Sequence, residues 1–176
     1  MIKFIITLIL ALISQVFFAQ SSALDKYNGQ DGVTSIIVSK KMFQMMGSVK
    51  VDANDKETQQ YLSLIKKLDN LKVFTTFNPK TAADMKLSAD QYKLTAGLEE
   101  LVRANDSGKN VKMWIKSGVN DQIKELLMYS EDGSKGYETV LMLLTGDFTL
   151  NEVTILIDKM KIPNGEEFKN ATKEKK

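Results

Sequence analysis

Between residues 111 and 145 three runs of strand-forming residues follow one another, separated by short polar links. The runs are 111–116, 123–129 and 137–145; the links are 117–121 and 131–136. Links this short cannot carry a crossover, so they join antiparallel neighbours and the three runs form a meander. The third run contains Val140-Leu141-Met142-Leu143-Leu144, which is apolar without alternation. A strand that is apolar on both sides belongs in the middle of a sheet whose two faces are covered. This one segment therefore demands a sheet and something packed on it.

The rest of the chain supplies those layers. Residues 24–32 read as a lead-in with one helical turn ending at Asn28-Gly29, and the β-branched run 33–38 is a strand. Residues 40–46 have helical spacing, with Met42, Phe43 and Met46 on one side and Gly47 as the stop. Tyr61, Leu64, Ile65 and Leu68 make one stripe on a helix over 55–68, capped by Asn54 with Glu57 three residues on. Leu71, Val73, Thr75 and Phe77 alternate through a second strand, 71–77. Asn78-Pro79 opens a short helix to residue 86. Ser88 with Gln91 resembles a capping box for a further helix, 88–104, with a stripe of Leu94, Leu98, Leu101 and Val102 and a Glu99–Arg103 pair. Last comes a helix capped by Thr149 and Glu152, with Phe148 stapled onto Val153 and Pro163 preventing continuation. Leu150, Val153, Leu156, Ile157 and Met160 form its inner face. The expected fold is α+β: a mostly antiparallel sheet of about five strands, with a C-terminal three-strand meander and helices packed on it.

Residues 1–19 read as a secretory leader. Lys3 precedes an apolar run from Phe4 to Phe18, and small residues follow, with cleavage expected between Ala19 and Ala23. The run is short of the roughly 20 residues that span a bilayer. This predicts a periplasmic or secreted protein with no transmembrane segment after leader removal. It leaves a single domain over 24–162 and a charged, disordered tail over 163–176. No cysteine follows the leader, so there is no thiol to lipidate.

Composition narrows the chemistry. The chain has no cysteine and no histidine. Thiol nucleophiles, thiolate metal sites, histidine general bases and Ser-His-Asp triads are therefore absent, and no cofactor is expected. The net charge of +2 is no footprint for nucleic acid.

Several motifs offer a chemical reading beside a bland one. Ser63-Leu64-Ile65-Lys66 fits the Ser-x-x-Lys nucleophile motif of penicillin-recognising enzymes, but the Ser-Asp-Asn element is missing and an amphipathic helix explains the same residues. Met42, Met45 and Met46 carry soft thioethers suited to Cu(I), though methionine is also a common core filler. Asp52, Asn54 and Asp55 offer oxygens for calcium without the glycine or the distant glutamate of an EF-hand; a capped helix start accounts for them equally. Glu99, Glu100, Asp121, Glu125 and Asp147 are available as paired carboxylates for glycoside hydrolysis. Lys112, Trp114 and Lys116 share one face of a strand, and make either a platform for a ligand or partner surface, or a covered indole with lysines snorkelling out.

Several segments of the chain match a known family. They are Val33-Thr34-Ser35-Ile36-Ile37-Val38-Ser39 running into Lys40-Lys41-Met42-Phe43, Leu71-Lys72-Val73-Phe74, Val111-Lys112-Met113-Trp114 and Ile123-Lys124-Glu125-Leu126-Leu127-Met128. The last is Val140-Leu141-Met142-Leu143-Leu144-Thr145-Gly146-Asp147-Phe148 with Thr149-Leu150-Asn151-Glu152-Val153. On these the chain resembles, over roughly residues 24–160, the exported domain-of-unknown-function family 4252 of Bacteroidetes-type bacteria. The resemblance carries no established activity, so it assigns no residue a role. Many relatives look like lipoproteins with a cysteine after the leader, and this chain departs from them there. The expected function is a non-catalytic binding or structural domain of the envelope, with an envelope protein or a glycan as partner and the oligomeric state left open. The alternative is a small periplasmic hydrolase using carboxylates or a lysine.

Overall fold

The computed structural model describes residues 24–162 and 166, apart from 50, 53, 107, 121, 134, 135 and 137. The expected leader with its cleavage window, and nearly all of the expected tail, lie outside the described residues. A 3-10 turn, Asp25–Tyr27, precedes β1 (Val33–Ser39), α1 (Lys40–Gly47), α2 (Lys56–Ile65) and β2 (Leu68–Thr76). Then follow α3 (Pro79–Thr95), β3 (Glu99–Asp106), β4 (Lys109–Ser117), β5 (Ile123–Asp132), β6 (Glu138–Phe148) and α4 (Leu150–Met160).

The six strands form one sheet in the order β1-β2-β6-β5-β4-β3, and every neighbouring pair is antiparallel. The expected meander is present and one strand longer than foreseen, because β3 joins it. β6 lies inside the sheet between β2 and β5, where its unbroken apolar run belongs.

Strand periodicity assigns the two cores. Leu71 and Val73 of β2, Val111 and Met113 of β4, Leu126 and Met128 of β5, and Val140, Met142 and Leu144 of β6 share one core. Phe43 of α1, Leu64 and Ile65 of α2, and Val153, Leu156 and Ile157 of α4 cover it. The alternate residues Phe74, Trp114, Leu127, Tyr129, Leu141 and Leu143 make the second core. Met85, Ala89 and Tyr92 of α3, with Leu24 and Tyr27 from the N-terminal turn, close that side. Among the described residues the sheet is thus sandwiched between three helices and one.

The caps expected at Asn78 and Thr149 are in place. Asn78 accepts from the backbone N–H of Lys80 and Thr81, with Pro79 at the first helical position. Thr149 and Glu152 form the reciprocal box on α4, and Phe148 and Val153 are both fully buried in the same core. At α2 the cap is Asp55 rather than Asn54: its carboxylate accepts from the Thr58 backbone N–H at 3.0 Å and from the Thr58 hydroxyl at 2.6 Å.

The helix expected over 55–68 ends at Ile65, with Leu68 opening β2, and the expectation for 79–104 fails outright. Instead of two helices over 79–104 there is one, α3, and then the edge strand β3. Ser88 is no cap; it is buried in mid-helix, where its hydroxyl is hydrogen-bonded to the Tyr27 hydroxyl at 2.8 Å. Gly97 stops the helix at φ +65°, and the Leu98 N–H returns to the Lys93 carbonyl at 2.8 Å. The apparent stripe then splits. Leu94 is exposed, Leu98 packs on one core, and Leu101 and Val102 pack on the other. Arg103 pairs with Glu100, Nη2 to carboxylate 2.6 Å, not with Glu99. Among the described residues no helix is long and apolar enough to cross a membrane.

Candidate functional site

The side of the sheet under α3 holds the most concentrated polar chemistry. Three tyrosines from different elements place their hydroxyls beneath or beside α3, and each meets a carboxylate. Tyr27 donates to Asp84 at 2.8 Å, Tyr92 to Glu125 at 2.9 Å and Tyr129 to Glu131 at 2.6 Å. Burial pushes all three phenols above their ordinary value, and the neighbouring carboxylates of Glu125 and Glu131 add to the shift at Tyr92 and Tyr129. These groups are neutral donors that hold acids in place. Asp84 is held below the usual carboxylate range by hydrogen bonds from the Lys26 ammonium and the Tyr27 hydroxyl.

A cleft of about 320 Å³ opens beside this array, lined by Pro79, Ala82, Ala83, Lys86, Glu131 and Thr139. Glu131 is the carboxylate on its wall and is already bonded to Tyr129. A second groove, about 340 Å³, runs between α2 and α4 past Gln60, Ser63, Asn151, Glu152 and Ile155. Its acid, Glu152, is used as the α4 cap and pairs with Lys67 at 2.6 Å.

The Lys112, Trp114 and Lys116 face of β4 turns toward α3. Trp114 is 3% exposed and belongs to the core under that helix. The Lys93 ammonium lies 4.9 Å from the ring centroid, closing the indole from above. Lys112 and Lys116 are half-buried on the same face, and Lys116 lies 3.6 Å from Glu125. The lysines, not the indole, are what a partner can reach.

The other sequence candidates are dispersed. Ser63 lines the α2–α4 groove, whereas the Lys66 stem lies against Gly47 at the end of α1. Met42 and Met45 are 49% and 60% exposed while Met46 packs inward on the core. Asp52 accepts from the Asn54 N–H at 2.9 Å in a local turn, and Asp55 caps α2. Glu100 pairs with Arg103, Glu125 with Tyr92 and Lys116, and Asp147 with Lys124 at 3.0 Å. Glu99 is exposed on β3, and Asp121 lies outside the described residues. Among the described residues no group of three or more acids is arranged to hold a metal.

The sheet edges supply the contrast that sequence reading missed. β3 carries Glu99, Glu100 and Arg103 and breaks register between Glu100 and Val102. Charges and a bulge are the usual protection of an edge. β1 has neither. Its seven residues are Val, Thr, Ser and Ile, and they pair with β2 without a shift from Val33↔Thr76 to Ser39↔Asn70. Ile36 and Ile37, on opposite faces, are 39% and 41% exposed. The signal was present in the sequence as an uncharged β-branched heptad, but its position at an edge is a property of the topology.

No curated protein and no solved structure matches the chain. The sequence pattern of one family does, from Tyr27 in the N-terminal turn to Leu156 in α4, which takes in all six strands and the helices on both sides of the sheet. On that match over residues 27–156 the chain belongs to the domain-of-unknown-function family DUF4252.

Proposed function

We propose that this protein is an exported, non-catalytic binding module of the bacterial envelope, and that it takes its partner by strand addition at β1. The observation that carries the reading is the asymmetry of the sheet edges: one is charged and bulged, the other regular, uncharged and fronted by two exposed isoleucines. An edge of that kind is a template for another strand. The leader-like residues 1–19 support export, and the acids committed to tyrosines, lysines and caps support a role without turnover. Lys112 and Lys116 are a secondary surface for an envelope protein or a glycan, with Trp114 as the packed floor beneath them.

Two measurements test this. Cell fractionation places the protein in the periplasm or the medium; finding the uncleaved chain in the cytosol contradicts export. Partner retention by the immobilised chain is lost on Ile36→Lys and kept on Glu100→Lys at the other edge; the reverse pattern contradicts the choice of β1. For the hydrolase alternative, alanine at Lys66 or Asp147 is expected to remove no hydrolytic turnover, and a measured loss would favour the enzyme.

A further inference from the structure

The β1 edge also points to what covers it. Resting on the reading of β1 as the docking edge, we propose that the partner is a second copy of this chain. β1 of each protomer pairs antiparallel about a two-fold axis at Ile36, joining two six-stranded sheets into one.

Self-complementarity is the first argument. In that register Ile36 lies opposite itself, Thr34 opposite Val38 on the same face, Ser35 opposite Ile37 on the other face, and Val33 opposite Ser39. Every pair joins aliphatic or small hydroxyl side chains and none contains a charge, which suits cross-strand packing. The exposed Ile36 and Ile37 would be covered on both faces of the combined sheet.

Charge is the second. Asp31 stands just before β1 and Lys41 just after it, and both are exposed. Antiparallel pairing brings the acid of each copy toward the lysine of the other at both ends. A parallel copy would bring like charges together. The two-fold arrangement is also isologous, with both protomers using the same patch.

Closure is the third. The sheet has two edges, and β3 is already guarded. Pairing β1 with β1 consumes the unguarded edge of both protomers and leaves a charged β3 at each end, so growth stops at two copies. A foreign strand would also cover β1, but it would not supply Asp31 and Lys41 in reciprocal positions.

Sedimentation of the full purified chain over micromolar concentrations tests the proposal. The expected result is a reversible dimer, weakened at least tenfold by Ile36→Lys, which sets two lysines opposite each other. Asp31→Lys weakens it several-fold, and adding Lys41→Asp restores it. Circular dichroism is used to check that each variant remains folded. The chain has no cysteine, so single thiols report register directly. Ile36→Cys should yield a covalent dimer under mild oxidation, and Thr34→Cys should not. A chain that stays monomeric near 100 µM, or a dimer indifferent to both Ile36→Lys and the charge swap, overturns the self-pairing. If such a monomer still loses another envelope protein on Ile36→Lys, the binding edge stands and only its occupant is wrong. If that retention is also unaffected, both readings fall.

Discussion

At the scale of single residues, two positions carry clear consequences. Trp114 is the chain's one tryptophan, so its fluorescence reports a single environment. Buried under α3 with Lys93 over the ring, it should emit at short wavelength and resist iodide quenching. A red, freely quenched emission would contradict that placement. Trp114→Ala should cost about 3–5 kcal/mol, read from the urea midpoint, because it empties a large, fully packed volume. Gly146 is constrained by space. A β-carbon there would meet the Lys67 carbonyl oxygen at 2.6 Å and the Leu68 α-carbon at 2.9 Å, both backbone atoms that cannot swing aside. The close approach serves the bulge where β2 meets β6 and where the Asp147 N–H bonds Lys67 at 3.0 Å. Gly146→Ala should therefore destabilise the protein by about 1–3 kcal/mol.

Elements were legible in proportion to how local their signals are. The cap Asn78-Pro79 and the box Thr149–Glu152 act within one turn, and both were readable from sequence. The unbroken run 140–144 placed β6 inside the sheet because alternation is a direct print of burial. β3 was misread because Leu94, Leu98, Leu101 and Val102 keep a helical rhythm across Gly97. A glycine inside a helical pattern costs only about 1 kcal/mol, so it does not by itself announce a stop. What decides the matter is the partner strand: residues 99–106 complete the edge of β4, a contact no local pattern encodes. Ser88 was misread for a related reason, since its partner Tyr27 is 61 residues away. Gly97→Ala tests the stop directly. The side chain would sit at φ +65°, and the expected cost is about 1–2 kcal/mol with no change in strand content. A neutral or stabilising result would contradict the helix end described here. The β1 surface was half legible: its composition could be read, but its exposure as an edge follows from β2 pairing with β6 on its far side.

Over the whole molecule, the pattern of charges sets the pH response. Asp84 is held low by the Lys26 ammonium and the Tyr27 hydroxyl. Burial opposes the same shift at Glu152, where Lys67 and the Thr149 cap outweigh it. Both groups bind their proton less readily folded than unfolded. Their stabilisation is complete above the ordinary carboxylate range and is lost as pH falls through their depressed values. The buried tyrosines act at the other end. Their raised values mean that the unfolded chain ionises first, and stability falls as pH rises past about 10. With no histidine between these limits, the urea midpoint should be flat from about pH 6 to 9. A step inside that window would contradict the charge assignments. The same sheet that buries two cores leaves one guarded edge and one bare edge, and the binding role rests on that difference. Hydrogen exchange across a dilution series tests it most directly. The outward amides of β1 should slow as concentration rises, while those of β3 keep one rate throughout. Slowing at β3 instead, or equal behaviour at the two edges, would contradict the account.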